Sequence, residues 1–185
     1  KHAWWAKYQT NSDGSARTSY TGAFSGYGWN NDTFTPTQNI TAVNAGNMFY
    51  ASKISGSLSE ILGDKTIDFS GCTGASQIFS NSQFTALPEL NFQKATYVDG
   101  IFGSCTSLVS VGLFTVNKNT SLNSAFTNCT ALENITFGGT IAKSMNIAWS
   151  TKLSTASIKS LLGVLTETVT GVTITLPVTV NGQDT

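Results

Sequence analysis

Charge is scarce in this chain. Ten Lys and Arg against ten Asp and Glu among 185 residues give a charged fraction of 11% and no net charge. Soluble domains usually carry about 25%, and a nucleic-acid binder or a protein held on an acidic membrane needs a basic excess. Neither nucleic acid nor membrane is therefore expected as a partner. Histidine occurs once, as His2, which leaves a histidine triad or a histidine-rich metal site without its convergent partners. The three cysteines are an odd number, which argues against a disulfide framework. No apolar run approaches the roughly 20 residues of a spanning helix. What fills the chain instead is small and polar, with 27 Thr, 22 Ser, 15 Asn and 17 Gly. A neutral surface of that kind reads as extracellular (cell-surface) or as part of a virion. The apolar share of 40%, with eleven Phe, is too high for disorder, and the length suits a single core. Lys1 stands where a Met would begin a chain, and Asn181–Thr185 ends on no closing element, so continuation beyond this stretch is expected.

The order in the sequence is a repeat. Leu87-x-x-Leu90-x-Phe92, Leu108-x-x-Val111-x-Leu113 and Leu132-x-x-Ile135-x-Phe137 share one apolar spacing and start 21 and 24 residues apart, and Ile67-x-Phe69 keeps its end. Between them recur Ile78-Phe79, Ile101-Phe102 and Ala125-Phe126, the last two continuing to Cys105 and Leu108 and to Cys129 and Leu132. A period of 20 to 29 residues with apolar positions at i, i+3 and i+5 describes a short strand, a turn and a short helical or irregular return, stacked on its neighbours. The expected fold is a leucine-rich-repeat solenoid of short parallel β-strands with loop or short-helix returns. Alternation along each strand places Ile67, Phe69, Leu90, Phe92, Val111, Leu113, Ile135 and Phe137 inward, with Asp68, Asn91, Gly112 and Thr136 outward. Cys105 and Cys129, at one repeated position, read as a ladder of buried small apolar side chains.

The ends of such a stack need covering, which divides the chain into three. Residues 1–47 hold Trp4, Trp5, Tyr20, Phe24 and Trp29 among Gly, Asn and Ser and read as an aromatic N-terminal cap. Residues 48–152 hold the repeats, with Ser59–Leu62 as a short helical turn. Residues 153–185 read as a C-terminal helix-strand cap: Ser154 or Thr155 caps a helix with Ile158, Leu161, Leu162 and Leu165 on one face, and Val172–Leu176 alternates as an edge strand.

These repeats resemble the BspA-type leucine-rich repeat family, whose units run as an apolar-Phe pair, two small residues, Cys, two residues, Leu, two residues, then Ile and a second apolar residue. Phe126 to Phe137 matches throughout and Phe102 to Leu113 fits, whereas Ser82 stands where Cys is expected in Phe79 to Phe92. Trp4-Trp5, the stretch from Ala23 to Pro36 and Met48-Phe49 look like the segment that precedes such repeats in proteins encoded by phages and prophages of Gram-positive gut bacteria. The helix and strand after Leu153 are similar to the segment that follows them. The resemblance implies a solenoid that recognises a surface; the fold alone fixes no ligand.

Other constellations carry little chemistry. Glu60, Asp64 and Asp68 are spaced by four, but Gly63 interrupts them and Asp68 falls on a strand, so a solvated turn is expected rather than a glycosidase pair. Gly26-Tyr-Gly28-Trp29 lacks the third glycine and the Lys-Ser/Thr of a phosphate loop. No catalytic residue, metal or cofactor is expected. Two groups remain for recognition. The outward column Thr66, Asp68, Glu89, Asn91, Ser110, Asn134 and Thr136 lines the face that solenoids use for binding, or is an ordinary solvated sheet face. Trp4, Trp5 and Trp29 form either a platform for sugar rings or a plug in the open end. The reading is a non-enzymatic recognition or structural module, foremost a phage tail or baseplate protein in the virion, with a bacterial surface protein or polysaccharide and other virion proteins as partners. Tail proteins are commonly trimeric, although no heptad pattern here specifies a homo-oligomer. The alternatives are a bacterial cell-surface adhesin and, third, an enzyme acting on a surface polymer.

Overall fold

In the computed structural model, which describes residues 11–166, 170–180 and 183–184, the chain winds as a parallel β-solenoid of about four turns. Strands are short: β1 (Ile40–Thr41), β2 (Ser55–Ser57), β3 (Ile67–Asp68), β4 (Gln83–Leu87), β5 (Leu90–Phe92), β6 (Ser110–Val116), β7 (Asn134–Gly139), β8 (Met145–Asn146) and β9 (Ile174–Thr175). Helix α1 (Leu58–Leu62) lies in one return and α2 (Thr155–Gly163) near the end. The main sheet runs β2-β4-β6 with β5 and β7 also on β6, all parallel. Strands β4 and β5 are two stretches of one coil, parted at Pro88-Glu89, and both lie along β6. The pairs β1-β3 and β8-β9 are parallel as well.

The returns are built to one plan. Gly22 and Gly26, Asn47 and Ala51, Gln77 and Asn81, Gly100 and Ser104, and Ser124 and Asn128 all have positive φ, four residues apart, with a phenylalanine midway in each pair. Such a kinked return aims its N–H groups along the solenoid. The amides of Gly22, Phe24 and Gly26 donate to the carbonyls of Gly46, Met48 and Tyr50, and those of Asn47, Phe49 and Ala51 to Ser76, Ile78 and Ser80. The pattern repeats from Gln77, Phe79 and Asn81 and from Gly100, Phe102 and Ser104, always toward the following coil. Backbone polar groups that a buried return would otherwise strand are thereby satisfied. This register already runs through Gly22–Gly26, inside the segment read from sequence as lying ahead of the repeats.

Two phenylalanine columns fill the interior, and all eleven phenylalanines are buried. Along the returns, Phe24, Phe49, Phe79, Phe102 and Phe126 follow one another at centroid separations of 5.3, 5.7, 6.1 and 5.3 Å. Along the strands, Phe69, Phe92, Phe114 and Phe137 follow at 5.2, 6.1 and 6.3 Å. A coil alone could not bury either ring, so burial requires stacking. Three residues after the return phenylalanine the column turns to small side chains: Ser52, Ser82, Cys105 and Cys129, with Ser150 three residues after Ile147, all buried. The thiols of Cys105 and Cys129 donate to the carbonyls of Phe79 and Phe102 in the preceding coil, at 2.9 and 3.0 Å. Cys72, out of this register, donates to the Ala42 carbonyl at 2.9 Å. All three cysteines are free.

Two inward assignments are corrected. Leu113 is 37% exposed, and Phe114 takes its place in the core. The register of β6 on β7 slips between Val111, opposite Ile135, and Leu113, opposite Thr136, so that Phe114 meets Phe137. Gly112 is the bulged residue; a Cβ there would lie 2.9 Å from the Glu89 nitrogen and the Pro88 carbonyl carbon. Leu162 is 54% exposed, while Ser157 and Leu161 face the core. Helix α2 is rotated by its serines, which cover the edge of β7: Ser157 Oγ accepts from the Ile135 amide at 3.0 Å and Ser160 Oγ from the Phe137 amide at 3.2 Å. Ser154 caps the helix by accepting from the Ser157 amide at 3.3 Å, and the edge strand is confined to β9, beside β8.

Candidate functional site

The outward residues come from four successive coils. Thr41 lies opposite Asp68. The rings of Phe69 and Phe92, each the next residue along, lie tilted at 5.2 Å; Asn91 lies opposite Thr115, and Thr115 opposite Gly138. Ser110 pairs with Ala86 on one side and Asn134 on the other, at the opposite end of the sheet from Asn91. Thr136 lies opposite the exposed Leu113. Thr66, Asp68, Glu89, Asn134 and Thr136 are exposed and Asn91 and Ser110 are half-buried. Asn91, Ser110, Asn134 and Thr136 thus lie on the main sheet, Asp68 on the separate pair β1-β3, and Thr66 and Glu89 just outside the strands, so the seven do not form one straight column.

Several of these side chains also shape the backbone. Asp68 Oδ1 accepts from the Ser70 amide at 2.8 Å and Asn91 Oδ1 from the Gln93 amide at 3.1 Å. Each makes the turn that ends its strand, the ordinary habit of Asp and Asn. The Thr66 amide donates to Asn39 Oδ1 at 3.0 Å. The carboxylates read as a candidate trio are occupied locally: Asp64 meets Lys65 Nζ at 2.6 Å, a contact that lowers the Asp64 pKa, and Asp68 holds its turn. Among the described residues no three His, Cys, Asp or Glu side chains gather as a metal site would require.

Of the aromatic platform, Trp4 and Trp5 lie outside the described residues. Trp29 packs edge-on against Phe24 at 5.1 Å and is partly buried beside the core. The aromatic ring that does face solvent near it is Tyr27, 65% exposed, with Lys53 Nζ 5.5 Å from its centroid. Tyr27 stands three residues after Phe24, at the position that holds a buried Ser or Cys in later coils, a register that the sequence of the N-terminal segment does not show. Burial holds the thiols protonated: it pushes Cys105 up to about 11 and Cys72 up to about 12, the latter with help from Asp68, and Cys129 upward in the same way. They are packing groups rather than nucleophiles.

Comparison with protein-family models, with curated proteins and with solved structures finds no match.

Proposed function

We propose that the chain is a non-enzymatic recognition module that uses its exposed sheet surface to hold a ligand of the bacterial surface. One observation carries this reading: a core of close-packed rings and one-way main-chain bonds fixes polar side chains of successive coils at set spacings along the strands. Rigid elements that present polar groups at fixed spacing lower the ordering cost of binding. The resemblance of the repeats to the BspA-type leucine-rich repeat family, and of the flanks to phage-encoded proteins, supports a phage tail or baseplate as the setting.

The test is binding of the fluorescently labelled chain to a panel of Gram-positive gut bacteria, with Asp68→Ala and Asn91→Ala as variants. Strain-selective binding that both substitutions weaken is the expected result. Binding that neither substitution alters would move recognition off this face, and absence of binding to every strain would leave a purely structural role.

A further inference from the structure

The one-way ladder of the returns stops before the solenoid does. Its pattern calls for the amides of Ser124, Phe126 and Asn128 to donate to the next coil, yet among the described residues none of the three does so. The next row, around Ile147, instead donates onward, Met145 to the Thr173 carbonyl and Ile147 to the Thr175 carbonyl. The interruption coincides with a short coil: Phe126 to Ile147 spans 21 residues, against 23 and 24 in the two turns before it. Where the rows part, a groove of about 190 Å³ opens, whose polar lining is Asn123, Ser124, Ser144, Asn146, Thr173 and Thr175.

The chemistry of this groove is narrow. It contains hydroxyls and carboxamides and no ionisable side chain. Two groups are held in place from behind: Ser144 Oγ accepts from the Thr173 amide at 3.0 Å, which leaves its O–H to donate, and Asn146 Oδ1 accepts from the Ala148 amide at 2.9 Å, which leaves its NH₂ to donate. The side chains of Asn123, Ser124, Thr173 and Thr175 make no hydrogen bond among the described residues. The volume falls below the roughly 300 to 1,000 Å³ of drug-sized pockets and suits one small ring with the rest of the molecule outside.

We propose that the groove between the Leu122–Ser124 row and the Ser144–Asn146 row is a binding site for a neutral saccharide unit. Hydroxyl-rich, uncharged rings match a lining that both donates and accepts and that could not neutralise a charged ligand. The site is separate from the Asp68 and Asn91 face and does not depend on it.

The test is an array of neutral hexose and N-acetylhexosamine oligosaccharides, with uronic-acid and phosphorylated oligosaccharides beside them, probed with the labelled chain and followed by titration of the hits. Binding should fall on neutral members. Asn146→Ala and Thr175→Val should each weaken it by about five-fold, as expected for one lost hydrogen bond, while Lys118→Ala, at an exposed residue outside either site, leaves it unchanged. Thr175 is exposed, so its variant keeps the test independent of any loss of fold at Asn146. An array without neutral hits, a preference for the acidic members, or hits that Lys118→Ala weakens and Thr175→Val does not, would overturn the proposal.

Discussion

Ser52 and Ser150 occupy a buried position that the chain fills twice with cysteine, and among the described residues neither hydroxyl has a hydrogen-bond partner. A buried unpaired hydroxyl costs about 1 to 3 kcal/mol. Ser150→Ala should therefore raise stability by about 1 kcal/mol, which in a chain of this size raises Tm by about 2 to 4 °C; calorimetry reads it directly, and a lowered Tm would mean that Ser150 is bonded. The three thiols give a second expectation. Each has its pKa raised in the folded state above an ordinary value of 9.0, so the folded chain binds more protons than the unfolded one above that pH. Their contribution is full below about pH 9 and is lost as pH rises toward the folded values. Thiol labelling at pH 8 should count none in the native protein and three after denaturation, and urea midpoints should hold to about pH 9 and decline beyond it. Much at this scale was legible in the sequence: Cys105, Cys129 and Ser82 announce one column by their spacing, and Ile67, Leu90, Phe92 and Ile135 announce the core. Leu113 was not legible, because a bulge adds a residue that periodicity cannot see, and the glycine that permits it reads as an outward position.

Among the elements, the end of the sheet is governed by serine rather than by apolar burial. An open β-strand edge invites another chain, and β7 would be such an edge beyond β6. Helix α2 covers it with Ser157 and Ser160, one turn apart, whose hydroxyls take the Ile135 and Phe137 amides; Ser160 Oγ also donates to the Ile135 carbonyl at 3.4 Å. Replacing both serines with alanine should cost about 2 to 4 kcal/mol, since two amides lose their partners. It should also produce concentration-dependent association in sedimentation, whereas a monomeric variant of unchanged stability would contradict the role. Sequence reasoning located this helix and put its cap at Ser154 or Thr155, of which Ser154 is the cap, but an apolar stripe pointed to Leu162. Hydroxyls that stand in for a missing strand leave no hydrophobic period, and so the helix is rotated from the face that its apolar residues imply.

The whole molecule is held by a polar ladder with a direction. Every return from Gly22 to Ser104 passes its N–H groups forward, and the phenylalanine columns set the spacing at which those bonds close. The parallel solenoid was readable because its period is written in Leu, Phe and Cys. The groove at the ladder's end was not, since it arises where bonds fail to form, and Asn123, Ser144 and Asn146 look like any other members of a Ser/Thr/Asn-rich surface. With few charges and one ion pair among the described residues, exposed and between neighbours, long-range electrostatics contribute little to this architecture.

Residue-resolved amide hydrogen exchange on the native chain tests the ladder and its interruption together. Slow exchange is expected at Phe49, Phe79 and Phe102 and at the flanking amides of Ala51, Asn81 and Ser104, with fast exchange at Ser124 and Asn128. Uniform protection through Ser124 and Asn128 would close the groove, and fast exchange at Phe49, Phe79 and Phe102 would contradict the solenoid itself.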